Sequence, residues 1–164
     1  MNLYSTYYHS PVGILKLQCS DKYIKSIEFL NNAPVEEKEQ NIHPLLYKCA
    51  KQLDEYFTGK RKQFSLPLNQ DGTEFQNKVW GLLYKIPYGK TISYHTLAKQ
   101  YGDVKAIRAV ASANGKNNIA IIVPCHRVIG SNNTLVGYGG GLWRKKFLLD
   151  LEMKFAMGVL ELKF

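Results

Sequence analysis

Cysteine is scarce in this sequence: three residues, at 19, 49 and 125, in a chain of 164. An odd number without the paired spacing of zinc ligands argues against both a disulfide framework and a metal site. Cys19 and Cys49 stand among apolar neighbours, as packed thiols do. Long hydrophobic runs are missing as well. No stretch approaches the ~20 residues of a membrane span, so no membrane partner is expected. The start, Met1-Asn2-Leu3-Tyr4-Ser5, has neither the basic opening nor the apolar core of a signal peptide. A reducing cytoplasm is the expected location, with nucleoid association if the cell is prokaryotic. Repeats and low-complexity tracts are lacking, and 45% hydrophobic with 21% charged residues is an ordinary globular composition.

Acidic residues are few where basic ones are many. Residues 81–164 hold 12 Lys/Arg against 4 Asp/Glu, whereas residues 1–80 hold 10 against 9. Nearly all of the net +9 therefore lies in the second half. A basic domain attracts a polyanion, and neutralised phosphates would supply sequence-independent affinity. Charge alone is also compatible with a generic basic protein.

The first thirty residues read as strands. Ile14, Leu15, Leu17 and Cys19 precede a polar turn at Ser20-Asp21-Lys22, and Ile24, Ile27 and Phe29 follow it. Asn31–Gln40 is a polar, acidic loop. Pro44 opens a helix with Leu45, Leu46, Cys49, Leu53 and Tyr56 at helical spacing, and Gly59 ends it. A boundary near Pro67–Gly72 divides the chain into domains 1–71 and 72–164. Thr73 with Gln76 forms a capping-box pattern, Phe75, Val79, Leu82, Leu83 and Ile86 give the apolar stripe, and Pro87 stops the helix. Ser93 caps a short helix stopped by Gly102, and Asp103 caps a second one through Ile107, Val110 and Ala113 to Gly115. Two short helices joined by a glycine-containing turn suit a helix-turn-helix. The second is rich in small residues around Arg108, which lets its backbone approach another surface closely.

Chemistry concentrates in Pro124-Cys125-His126-Arg127-Val128. The apolar run Ile119-Ala120-Ile121-Ile122-Val123 before it reads as a buried strand, ended by Pro124. A free thiol is only about 3 % thiolate at neutral pH, and an adjacent base or cation raises that fraction. Neighbouring side chains on an extended segment point to opposite faces, so a bridging water joins Cys125 to His126 more easily than direct contact. Taken as an isolated pair, Cys-His is also compatible with a packed structural thiol.

The stretch from Pro124 to Gly130 resembles the active-site signature of the O6-alkylguanine-DNA alkyltransferases, also called methylated-DNA–protein-cysteine methyltransferases. The likeness runs densely from 72 to 152: Gly72-Thr73-Glu74-Phe75-Gln76, Val79-Trp80, Ile86-Pro87-Tyr88-Gly89-Lys90-Thr91, Ser93-Tyr94 and Leu97-Ala98 upstream, Gly137-Tyr138, Gly140-Gly141-Leu142, Lys145, Leu148-Leu149 and Glu152 downstream. It is looser before, as at Ser10-Pro11-Val12-Gly13.

The resemblance implies an α/β, ribonuclease-H-like scaffold over 1–71 and a mainly α, winged helix-turn-helix domain over 72–164 that binds DNA and accepts the alkyl group. The implied partner is double-stranded DNA containing O6-alkylguanine, bound by a monomer. The implied reaction needs no cofactor, because guanine is the leaving group, and each molecule acts once. Cys125 is the implied acceptor, His126 the base acting through water, and Glu152 the carboxylate that orients the imidazole. Tyr94 helps swing the nucleotide and gives a proton to the leaving base. Arg108 fills the hole left by the extruded base, with Ser93, Tyr94, Ala109 and Ser112 along the DNA. Asn117 ties backbone near the thiol. Tyr138 walls the base pocket, the Gly139 amide faces guanine O6, and the carbonyls of Cys125 and Val128 accept the guanine amine. On the residues alone, Tyr94 is also compatible with a core aromatic, Glu152 with a solvated helix-end carboxylate and Arg108 with a surface salt bridge.

Two departures stand out. Asn118 and Ala120 occupy positions where many members have proline, which loosens the approach to the signature. The zinc site of some members has no convincing match among Cys19, Cys49, His9 and His43, so no metal is expected. A cysteine hydrolase, an alkyltransferase-like protein without the acceptor thiol and a plain winged-helix regulator are the rival classes.

Overall fold

The alternating pattern of residues 13–19 builds β2 (Gly13–Cys19), which lies between β1 (Tyr4–Ser10) and β3 (Ile24–Phe29) in an antiparallel sheet of order β1-β2-β3. Leu15, Leu17 and Cys19 point to one face and are fully buried. Helix α1 (Pro44–Phe57) packs on β1 and β2 and buries Leu46, Cys49, Leu53 and Tyr56. Pro44 takes the first helical turn, where its missing N–H costs nothing. The cap is His43, whose Nδ1 accepts from the Leu45 N–H at 3.1 Å. The computed structural model describes residues 2–32 and 41–157. Of the acidic loop expected over 31–40, all but Asn31 and Asn32 lies outside them.

The chain sorts into two compact units: residues up to Asp71 with Asn118–Ala120, and Gly72–Asn117 with the chain from Ile121 onward. In the first unit, Asn118–Ala120 runs beside β3. The Ile27 N–H donates to Asn118 O at 2.8 Å and the Ala120 N–H to Ile27 O at 3.1 Å, a single parallel bridge through Ile119.

In the second unit, α2 (Glu74–Tyr84) begins with a capping box. Thr73 Oγ1 accepts from the Gln76 N–H at 3.1 Å, and Gln76 Oε1 accepts from the Thr73 N–H at 3.0 Å. Helix α3 (Tyr94–Tyr101) is capped by Ser93 and stopped by Gly102, whose φ of +111° a side chain would resist. Asp103 caps a 3₁₀ turn, Val104–Ala106, which leads into α4 (Ile107–Gly115), so its side chain serves the turn and not α4 itself. Val79, Trp80 and Leu83 of α2 meet Leu97 and Ala98 of α3 and Val110 and Ala113 of α4 in the core. The buried Trp80 indole donates to Ala113 O at 2.8 Å and locks α2 to α4. The parallel pair β4 (Ile92–Ser93) and β5 (Val128–Ile129) ties the start of α3 to the signature segment, and α5 (Leu142–Met157) completes the unit. Among the described residues no helix is long and apolar enough to cross a membrane.

The strand expected over Ile119–Val123 is absent. These five residues are buried as anticipated, but only Ile119 pairs, and residues 120–122 form a turn in which Ile121 has a φ of +71°. Short apolar runs report burial and not conformation, and a β-branched residue with positive φ is strained. Pro124, at φ −83° and ψ 64°, forms an inverse γ-turn in which the Cys125 N–H donates to Val123 O at 2.8 Å. Replacing Thr73 by Ala removes one arm of the capping box and is expected to destabilise the fold by about 1 kcal/mol, read as a lower urea midpoint with unchanged m-value.

Candidate active site

The signature residues Cys125–Arg127 form one 3₁₀ turn, not an extended segment. At three residues per turn, successive side chains diverge by about 120°, so Cys125 and His126 face different neighbours. Asn117, just past α4, donates from Nδ2 to Val123 O at 2.8 Å and thereby holds the γ-turn that presents the thiol. The same amide side chain favours the thiolate.

His126 is fully buried and points at α5, where its Nε2 lies 2.6 Å from Oε2 of Glu152. Its Nδ1 is buried and makes no hydrogen bond to protein. Glu152, 1 % exposed, also receives Arg127 Nε on Oε1 at 2.8 Å and Arg127 Nη2 on Oε2 at 3.1 Å. The Gly89 N–H approaches Oε1 at 3.4 Å, and that backbone needs glycine, with a φ of +75° and Ala156 where a side chain would begin. Arg127 donates further to Ile86 O at 2.6 Å, beyond the end of α2.

Electrostatics follow from this packing. Burial pushes the Cys125 thiol up, opposed by the Asn117 amide and the Lys145 ammonium. Burial pulls His126 down, and Arg127 and Lys145 add to it against the pull of Glu152. For Glu152, burial alone would raise the carboxyl, but His126 and Arg127 overcome it and hold it at about 2. Burial lowers Lys145 to about 8 against the opposing influence of Cys125. The resting state is thus a thiol, a neutral imidazole and a carboxylate.

Tyr94, first residue of α3, donates to Val136 O at 3.2 Å; burial raises its phenol, with Cys125 adding and Asn114 opposing. Tyr138 is half-buried, with its hydroxyl inside, and burial raises it further still, with Cys125 and Glu152 adding. Gly139 is exposed in the loop before α5. The Val128 carbonyl accepts Lys145 Nζ at 2.5 Å, and the Cys125 carbonyl accepts the Val128 N–H. Each carbonyl retains a second lone pair for another donor. Thus Cys125, His126, Glu152, Asn117, Tyr94, Tyr138 and Val128 share one neighbourhood. Arg108, Ala109 and Ser112 lie exposed on α4, and Arg108 makes no hydrogen bond or ion pair among the described residues. Ser93 caps α3, accepting from the Thr96 N–H at 3.0 Å.

The sequence alone assigns no site role to Arg127 or Lys145. Arg127 stands two residues from the thiol, yet its partner is the carboxylate. Lys145 is fully buried and donates to Val128 O, Val136 O and Gly137 O, tying β5 to the loop before α5. A signal existed: Lys145, Leu148, Leu149 and Glu152 fall at i, i+3, i+4 and i+7, one face of α5, and charges in an apolar stripe are rarely solvated. Among the described residues no three His, Cys, Asp or Glu side chains converge as metal ligands would.

Fold and site define a protein that carries a buried cysteine–histidine–glutamate series on a helix-turn-helix unit. Residues 74–154 match the family described as 6-O-methylguanine DNA methyltransferase, DNA binding domain, and residues 3–70 its ribonuclease-like domain. The chain is 45% identical over 159 residues to the constitutive methylated-DNA–protein-cysteine methyltransferase of Bacillus subtilis, covering 93% of this chain and 96% of that protein. It is 42% identical over 153 residues to the methylated-DNA–protein-cysteine methyltransferase of Methanosarcina acetivorans, covering 92% and 98%. The crystal structure of Mycobacterium tuberculosis O6-methylguanine methyltransferase superposes with a TM-score of 0.83 at 39% identity, covering 94% of this chain and 95% of that one. The crystal structure of the M. tuberculosis OGT in complex with DNA gives 0.82 at 42% identity, with 92% of each covered. The chain belongs to the 6-O-methylguanine DNA methyltransferase family, with a ribonuclease-like domain followed by a DNA-binding one.

Because the folded carboxyl of Glu152 lies below its ordinary 4.5, its contribution to stability is whole above that pH and is lost as pH falls toward about 2. The Glu152→Gln variant is expected to lose that slope in acid denaturation. It should also be less stable at neutral pH by about 3–5 kcal/mol, since Arg127 is left buried without its charge partner.

Proposed function

We propose that this protein reverses DNA alkylation directly, moving the alkyl group from guanine O6 to Sγ of Cys125 once per molecule. The buried Cys125–His126–Glu152 series in a member of this family is the observation that carries the reading. Through a bridging water, the thiol proton passes to Nδ1 of His126, the ring nitrogen free of protein partners. Glu152 holds Nε2–H and stabilises the imidazolium that forms. Sulfur attacks the alkyl carbon in line; the S–C bond forms as the C–O bond breaks. The electron pair leaves on guanine, which takes a proton from the Tyr94 phenol. The thioether is stable, so turnover is stoichiometric.

O6 of a stacked guanine is out of reach along that line, so the nucleotide must rotate out at a cost of a few kcal/mol, less for a poorly paired lesion. Helix α4 enters the minor groove through its small residues Ala109 and Ser112. The unpartnered Arg108 fills the gap in the stack, and Ser93 and Tyr94 follow the displaced strand. Tyr138, Gly139 and Val128 line the base pocket. Residues 72–164 act as the DNA-binding and acceptor domain and 1–71 as its scaffold. The basic second half supports affinity for phosphates without reading sequence. A monomer in the cytoplasm, on the nucleoid in a prokaryote, completes the reading.

Incubation with a duplex bearing one O6-methylguanine is expected to add one methyl group to the intact mass, mapping to Cys125 and lost in Cys125→Ser. Unchanged mass in folded protein would overturn the reading. Repeated turnover of substrate would instead identify a cysteine hydrolase. Arg108→Ala is expected to react normally with free O6-benzylguanine yet repair duplex DNA roughly tenfold or more slowly. Equal losses on the two substrates would remove Arg108 from the extrusion step.

A further inference from the structure

Arg127 is 7 % exposed and engages both oxygens of one carboxylate, with its remaining arm on Ile86 O and its guanidinium 5.7 Å from the centre of the Tyr88 ring. Among the donors that Glu152 gathers are Nε and Nη2 of Arg127, the Gly89 N–H, and Nε2 of His126. A fork of this kind fixes the carboxylate plane as well as its charge. Two arms of one rigid group leave Oε2 a single orientation toward the imidazole.

Extending the proposed relay, we infer that Arg127 is a positioning residue that braces Glu152, ionised and in one orientation, so that the carboxylate accepts the Nε2 proton of His126 and leaves Nδ1 a free base. An imidazole beside a lone buried carboxylate gains a proton readily, and an imidazolium cannot take one from the thiol. With Arg127 present, the carboxylate is already neutralised and a second cation beside it is disfavoured. The other groups facing His126 do not supply this balance. Lys145, on α5, also disfavours the imidazolium, but it is committed to three backbone carbonyls and makes no bond to Glu152. Cys125, on the same turn, is held as the neutral thiol by burial. Tyr88 and Tyr138 face Glu152 with neutral hydroxyls. Glu152 itself pulls the other way.

The test compares the full-length protein with Arg127→Met and Arg127→Lys. Two readouts are taken: single-turnover alkylation of Cys125 by free O6-benzylguanine across pH, and the ¹⁵N resonances of His126 in histidine-labelled protein. In the parent protein His126 is expected to carry its proton on Nε2 at neutral pH. In Arg127→Met the midpoint of the His126 titration, and with it the acid limb of the rate profile, is expected to rise by about one to two pH units. Arg127→Lys keeps the charge but not the fork, so its midpoint should return to within about half a unit while the plateau rate stays several-fold low. A folded Arg127→Met protein with the parental midpoint and tautomer would overturn the inference. So would an Arg127→Lys protein with the parental plateau rate, which is the deciding result if Arg127→Met does not fold. Failure of the parent protein to be alkylated at all would sink the repair reading alone, because the His126 resonances report on Arg127 without any reaction.

Discussion

One ionised carboxylate, buried in the second unit, organises the chemistry of this protein. Glu152 is inaccessible to water, and a bare charge there would be prohibitive. It is stable because donors reach it from three directions: the imidazole and guanidinium of the 3₁₀ turn and the backbone at Gly89. That requirement explains why the turn, the end of α2 and α5 must come together, and it makes the geometry of the thiol a by-product of neutralising a charge. Arg127 is the joint of this assembly, since the same guanidinium that holds Glu152 also holds the Ile86 carbonyl.

Around this joint the fold separates what must be rigid from what must meet a partner. The thiol and imidazole lie on backbone locked by the γ-turn at Pro124, the Asn117 amide and the parallel pair β4–β5, and the carboxylate on α5 is held by His126 and Arg127. The small-residue face of α4, with Arg108 on it, stays exposed. Lys145 ties that locked backbone to the loop that carries Tyr138, since its ammonium gathers carbonyls from β5 and from that loop.

Much of this was legible in the residues. Thr73-Glu74-Phe75-Gln76, Ser93 and Gly102 carry local capping chemistry, and the helices start and stop where those residues dictate. The alternation in 13–19 marked a sheet with one covered face. Ile119–Val123 is deceptive, because an apolar β-branched run records burial while its path is set by contacts at its two ends: the bridge from Ile119 to Ile27 and the turn at Pro124. The role of Arg127 is hidden in the sequence for a similar reason. Its neighbours in sequence are Cys125 and His126, but its partners in space, Ile86 and Glu152, lie 41 and 25 positions away, and no local pattern announces them. Cys125, His126 and Glu152 stood out through likeness to a known signature, since spacing alone does not distinguish a helix-end carboxylate from a buried one.

The burial of Cys125 has a consequence for the lifetime of the molecule. Peroxides and stray electrophiles consume thiolates, and they do so in proportion to how much anion is present and how freely they can reach it. A sulfur kept protonated and walled in by its surroundings reacts sluggishly with all of them. Under the proposed single use of Cys125, such inertness acts as a preservative of the thiol.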